Sequence, residues 1–277
     1  MNNAIRYSLF FLCILPSLGL ALSLPTVFSD HMVLQRDRAV PVWGDAAPEQ
    51  SVTVEFAGQT VHAVSDANGK WRTEIAALET SKQSRALTVS AGSDTLTFSD
   101  VLVGEVWLCA GQSNMQWSLP GTEDGPASVA AANHPLIRFF RTPLVASEKP
   151  LERVNANWQV CTPESAKHFS AVAYYFGRKL QQDLDVPIGL LQSAWGGTRI
   201  EPWTPPSGFT GIPSLAAIDA QVQLTLPHSA SYQAAMADYL KAHSEWEATS
   251  SQAIAEQMYV PAAPEFPKGL ILSGNQQ

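Results

Sequence analysis

The chain has 277 residues and a formal net charge of -8 at neutral pH, from 17 Lys and Arg against 25 Asp and Glu. That acidic balance argues against a nucleic-acid backbone or an anionic membrane surface as partner. Three cysteines are too few for a disulfide framework at this length, and no Cys or His spacing suggests a metal site.

The chain opens on a targeting pattern. Arg6 precedes an uncharged apolar run from Tyr7 to Leu22, broken by Pro16 and Gly19, and Ala21-Leu22-Ser23 offers small residues where a signal peptidase reads. Residues 1–23 are expected to be a secretory signal peptide. The mature chain would then be secreted or periplasmic, with no membrane association after cleavage. An uncleaved anchor is the alternative, for which the run is short. Cys13 would leave with the signal, so Cys109 and Cys161 remain; compartment permits a bridge between them and nothing else points to one.

Residues 24–100 read as a small antiparallel β-sandwich. Val52, Val54 and Phe56 alternate with Thr53 and Glu55, the period of a half-buried strand. Leu87-Thr88-Val89 and Leu96-Thr97-Phe98 repeat it. Ala57-Gly58-Gln59 and Asp66-Ala67-Asn68-Gly69 supply turns between such runs, and Trp71 is expected among the buried residues.

The rhythm changes over residues 101–277. Val101 to Cys109 is a nearly continuous apolar run, which predicts a strand covered on both faces. Ile137-Arg138-Phe139-Phe140 and Ile188-Gly189-Leu190-Leu191 read as further strands. Between them, Val172, Tyr175, Phe176 and Leu180 recur at helical spacing over 171–184. Strand, helix and strand in alternation predict an α/β domain with a parallel sheet and flanking helices. A second helix is expected over 229–257, then a loop holding Pro261, Pro264 and Pro267, then the start of a strand at Lys268–Leu272.

Two stretches carry candidate chemistry. In Ala110-Gly111-Gln112-Ser113-Asn114-Met115, the first parallel strand ends in a tight turn that can present the Ser113 hydroxyl beyond the carboxyl end of the sheet, where ligands gather. Ser113 is either a nucleophile or a polar residue capping a helix; as a nucleophile it needs a base and oxyanion donors from elsewhere. Met115 two residues on, in place of Gly, separates the turn from the nucleophile elbow of α/β-hydrolases. In Gln192-Ser193-Ala194-Trp195-Gly196-Gly197-Thr198-Arg199-Ile200-Glu201-Pro202-Trp203, two glycines allow close backbone approach and a free N–H. Trp195 and Trp203 either offer flat faces to a sugar or pack in the core.

Together these stretches resemble the sialate O-acetylesterase family within the SGNH (GDSL-like) hydrolases. The likeness extends through Leu24-Pro25-Thr26-Val27-Phe28-Ser29-Asp30-His31-Met32-Val33-Leu34-Gln35-Arg36, Asn68-Gly69-Lys70-Trp71 and Phe169-Ser170-Ala171-Val172-Ala173-Tyr174-Tyr175-Phe176. By this resemblance residues 101–277 are an incomplete SGNH-hydrolase-like domain that removes O-acetyl groups from sialic acid or a related sugar. Ser113 would be the nucleophile, and its own N–H with that of Gly197, or alternatively Gly196, would donate to the oxyanion. Gln112, Asn114, Trp195, Thr198, Arg199 and Glu201 would contact the acetylated sugar. No metal or cofactor is implied.

Two later pieces of such sites are not found: a Gln-Gly-Glu-Ser-Asn type stretch and a C-terminal Asp-x-x-His supplying base and orienting carboxylate. Each remaining histidine (His31, His62, His134, His168, His228, His243) reads as a surface or packing residue. The expectation is a shortened chain of low activity, or else a secreted carbohydrate-binding protein without catalysis.

Overall fold

The computed structural model of the chain describes residues 21–147 and 150–267. The expected signal up to residue 20 and the expected strand at Lys268–Leu272 lie outside the described residues. The end of the expected signal belongs to the fold. Leu22 is buried, and Ser23 and Asp45 exchange backbone hydrogen bonds of 2.9 and 2.8 Å.

Seven strands come first: β1 (Val33–Gln35), β2 (Val40–Asp45), β3 (Ser51–Phe56), β4 (Gln59–Val64), β5 (Lys70–Ile75), β6 (Ser81–Ala91) and β7 (Asp94–Gly111). Alternation dictates β3: Val52, Val54 and Phe56 are buried while Ser51 and Glu55 are exposed. The Asp66 carboxylate accepts the N–H groups of Asn68 and Lys70 at 2.8 and 2.9 Å, closing the turn into β5. Strands β2 and β5 form a separate antiparallel pair, and β4, β3, β6 and β7 run antiparallel in that order.

Next come the helices and strands of the α/β part: α1 (Ser113–Gln116), α2 (Gly125–Ala130), β8 (His134–Arg141), β9 (Trp158–Cys161), α3 (Pro163–Ala166), α4 (Ala171–Leu184) and β10 (Ile188–Ala194). β10 lies between β7 and β8, parallel to both, and β9 closes the sheet antiparallel to β8. The α/β architecture with its preceding antiparallel sheet is therefore present, and β7 belongs to both parts. It pairs with β6 over 94–103, with β1 over 102–104 and with β10 over 105–111. It runs unbroken through residue 100, where the change of rhythm had suggested a boundary. The core follows the strand across: Val54, Phe56, Trp71, Leu87 and Val101 share one apolar cluster with Phe140 and Trp158 from the second half. Trp71 is buried, as its sequence context suggested.

Two expectations are corrected. The run Val101–Cys109 is not covered on both faces, since Trp107 is 42% and Leu108 is 70% exposed. Among the described residues no strand pairs with the second edge of β7 beyond Gly104; only the Gln35 side chain reaches it, accepting Val106 N–H at 2.9 Å. Helix α4 is present, but its buried residues are Ala171, Ala173, Tyr174 and Gly177, while Val172 and Phe176 are exposed. Small residues win this face because α4 lies close on β10: a Cβ at Gly177 would stand 2.5 Å from Leu190 Cδ1. Phe176 instead packs edge-on to Trp107, centroids 5.1 Å apart.

Two further helices, α5 (Ala216–Thr225) and α6 (Ala230–Ala255), pack on each other. Ser229 caps α6 through its hydroxyl, which accepts Tyr232 N–H at 3.0 Å. Among the described residues, no helix is long and apolar enough to cross a membrane.

Candidate active site

One residue, the N-cap Gln112, separates the end of β7 from Ser113, which opens the single turn of α1. Gly111 takes φ +155°, a conformation L side chains rarely adopt, and Gln116 N–H closes the turn onto Gln112 O at 2.9 Å. As the first helical residue, Ser113 has an N–H with no carbonyl to reach inside the helix. Gln112, Ser113 and Asn114 are exposed.

The sheet register brings the second motif here. Ala194 lies opposite Gly111, so the turn after β10 lands against the turn after β7. Trp195 N–H donates to Gly111 O at 3.0 Å, and Gln112 Nε2 donates to Thr198 O. Gly196 N–H donates to Gln116 Oε1 at 2.7 Å. A Cβ at Gly196 would stand 2.8 Å from Gln116 Oε1 and 3.1 Å from Ser113 Oγ, so glycine is what lets the turns meet. Gly197, at φ +78°, has no neighbour within 4 Å of where a Cβ would sit, and its N–H has no acceptor among the described residues. The two glycines therefore differ: one N–H is spent on Gln116 and the other is free.

Gly111, Gln112, Ser113, Asn114, Met115 and Val172 line a cleft of about 360 Å³. Ser170, the N-cap of α4, holds this wall: its hydroxyl donates to Met115 Sδ at 3.4 Å and its N–H to the buried Gln192 Oε1 at 2.9 Å. Thr198 is buried and internally satisfied, donating to Trp195 O and accepting Trp203 Nε1, both at 2.8 Å. Trp203 is thus tethered, with 36% of its surface exposed. Arg199 is exposed and Glu201 half-buried in a short 3-10 turn; neither bonds to the Ser113 turn.

The sequence reading missed Gln116 and Gln192, which orient the two motifs. The only signal was position: Gln116 sits three residues after Ser113, on the same face of the turn.

No base stands beside Ser113 among the described residues. His31 Nδ1 lies 2.7 Å from Asp100 Oδ2, far down β7 from the cleft, and His62 bonds Thr53 Oγ1 at 3.1 Å. His134 begins β8 rather than lying in a loop; it faces Tyr174 OH at 3.3 Å, and burial with the nearby Arg178 charge lowers its pKa. His168 and His228 are exposed, and His243 lies 3.5 Å from Glu247 on α6. Among the described residues no group of three or more His, Cys, Asp or Glu could hold a metal ion. Cys109 and Cys161 are free and buried, and burial pushes their thiols up to about 11 and about 12.

A family model described as carbohydrate esterase, sialic acid-specific acetylesterase matches residues 103–247. The sialate O-acetylesterase of Mus musculus is 31% identical over 207 residues, 68% of this chain and 38% of that protein. Its Homo sapiens counterpart is 32% identical over 207 residues, 68% of this chain and 40% of its own length. The crystal structure of a carbohydrate acetylesterase from Xanthomonas citri is similar with a TM-score of 0.64 and 39% identity, covering 67% of this chain and 43% of that one. The chain thus spans about two fifths of the length of these relatives.

Proposed function

Because the chain belongs to the sialic acid-specific acetylesterase family of carbohydrate esterases, we propose that Ser113 is the nucleophile of a serine esterase acting on an O-acetylated sialic acid or a related acetylated sugar. The observation carrying this reading is the meeting of two turns at one sheet end. Gly196 of the second turn lies against the exposed Ser113 with its N–H engaged by Gln116, and the N–H of the next residue, Gly197, has no acceptor among the described residues. In the reaction, Ser113 Oγ attacks the acetyl carbonyl and its proton passes through solvent water to the sugar oxygen that departs. The carbonyl oxygen takes up negative charge, which the N–H groups of Ser113 and Gly197 stabilise. The sugar hydroxyl leaves with a proton, and water then releases acetate from the acyl-serine. Gln112 ties the two turns together by donating from Nε2 to Thr198 O, and its second N–H and its Oε1 remain for the sugar. Asn114, on the cleft wall, and the exposed Arg199 and half-buried Glu201 supply polar groups for the sugar, and Trp195 and Trp203 supply apolar faces.

Ser113 Oγ has no proton acceptor among the described residues. Loss of the base from a serine triad costs several orders of magnitude in rate, leaving oxyanion and binding contributions. The isolated chain is therefore expected to be slow, and a version extended by a family-like C-terminal segment faster by orders of magnitude. Acetate release from p-nitrophenyl acetate and from an O-acetylated N-acetylneuraminic acid tests both statements. Residual hydrolysis should vanish in Ser113→Ala; hydrolysis that survives Ser113→Ala, in the short or the extended chain, rejects Ser113. That no proton acceptor stands at Ser113 Oγ among the described residues also favours a second reading, a secreted carbohydrate-binding protein without catalysis. It prevails if both forms bind the sugar and neither releases acetate.

A further inference from the structure

Away from Ser113, a second cleft of about 260 Å³ opens on the β2–β5 pair and shares no lining residue with the first. The register sets Trp43 opposite Arg72, so an indole and a guanidinium share the exposed face of the pair, while Trp71, opposite Gly44, turns to the buried face. Trp43 keeps 36% of its surface exposed, although Phe28 packs T-shaped against it at 4.9 Å and fixes the ring. Trp71 forms part of the lining and is buried, and its Nε1 has no hydrogen-bond partner. Lys70 and Glu152, 2.6 Å apart, border the cleft where the loop after β8 crosses it, and Arg72 keeps 62% of its side chain exposed.

We propose that this cleft binds a neutral pyranose unit of an oligosaccharide. A fixed, half-exposed indole matches the C–H face of a sugar ring, which has apolar surface and no charge to desolvate. Lys70, Arg72 and Glu152 surround that face with donors and an acceptor of the kind hydroxyls use. The charge balance selects a neutral ligand over an acidic one. Lys70 is already held by Asp45 at 2.7 Å and Glu152 at 2.6 Å, so a sugar carboxylate has to displace one of them. Arg72 likewise faces a carboxylate, Glu74 at 3.7 Å, so each cation of the cleft is already paired, while the guanidinium keeps donors for hydroxyls.

Isothermal titration calorimetry of the chain with lacto-N-tetraose, xylohexaose and cellohexaose, and with 3′-sialyllactose as the acidic counterpart, tests the proposal. At least one neutral probe should bind, about tenfold more weakly to Trp43→Ala and measurably more weakly to Arg72→Ala. Where circular dichroism shows Trp43→Ala unfolded, Arg72→Ala decides. Absence of binding by all three neutral probes overturns the proposal, as does binding unchanged in the folded variants. Binding of 3′-sialyllactose alone overturns the neutral class. The readout is binding, not acetate release, so it stands or falls separately from the role of Ser113.

Discussion

Replacing Asp100 by Asn perturbs the joint where β7 leaves the antiparallel sheet for the parallel one. Asp100 adopts φ +53°, a conformation Asn tolerates, so the substitution removes charge without adding backbone strain. Arg138, whose side chain is 5% exposed, donates from Nη1 to Asp100 Oδ2 at 2.5 Å, and His31 Nδ1 lies 2.7 Å from the same oxygen. Burial raises the Asp100 pKa, but the hydrogen bonds from Arg138 and His31 and the Arg138 charge outweigh it and hold the carboxyl at about 2, against an ordinary 3.8. That gap corresponds to ~2 kcal/mol of folding stability at neutral pH. The variant also leaves the Arg138 charge buried with neutral partners alone, Pro135 O at 3.0 Å and His31 O at 3.4 Å. A total loss of about 2–4 kcal/mol is expected, read by urea denaturation at pH 7. Because the folded-state pKa lies below the unfolded one, this stability is present above pH 3.8 and is lost as the pH falls towards 2. The gap between parent and variant should therefore close over that interval. Asp30, lowered by the Ser99 N–H it accepts, is common to both proteins and cancels. A gap below about 0.5 kcal/mol at pH 7, or one independent of pH, refutes the reasoning.

Gly196→Ala should destabilise by about 1–3 kcal/mol, because its Cβ meets Gln116 Oε1 at 2.8 Å and Ser113 Oγ at 3.1 Å. Adding Gln116→Ala should recover part of that loss, and strictly additive denaturation midpoints would count against the contact. Cys109 and Cys161, with thiols pushed to about 11 and about 12, should resist Ellman's reagent at pH 8 in the folded chain and react once urea unfolds it. Rapid reaction in the folded chain would contradict their burial. Leu108→Lys, at a 70% exposed position on the half-paired end of β7, should leave the fold intact and reduce self-association by light scattering; unchanged association would place the sticky edge elsewhere.

Much of the molecule was legible in local pattern. The alternation of Val52, Val54 and Phe56, the Asp66–Gly69 turn, the strands through Ile137 and Ile188, and the helices over 171–184 and 230–255 all follow from residue order and turn chemistry. The two motifs around Ser113 and Gly196 were also visible, because each ends an apolar strand in glycine and polar residues. What separates Gly197 from Gly196 was not: the register of β10 on β7 delivers Gln116 Oε1 to one N–H and leaves the other free, a fact settled 80 residues apart in sequence. Tertiary packing likewise decided which face of α4 is buried, since close approach to Leu190 favours Ala173 and Gly177 over the more apolar Val172 and Phe176. It also carried β7 through both sheets, joining Trp71 and Trp158 in one core. Periodicity reports the burial of a residue by its own element; it carries no information on which distant element arrives, at what register, or whether one arrives at all.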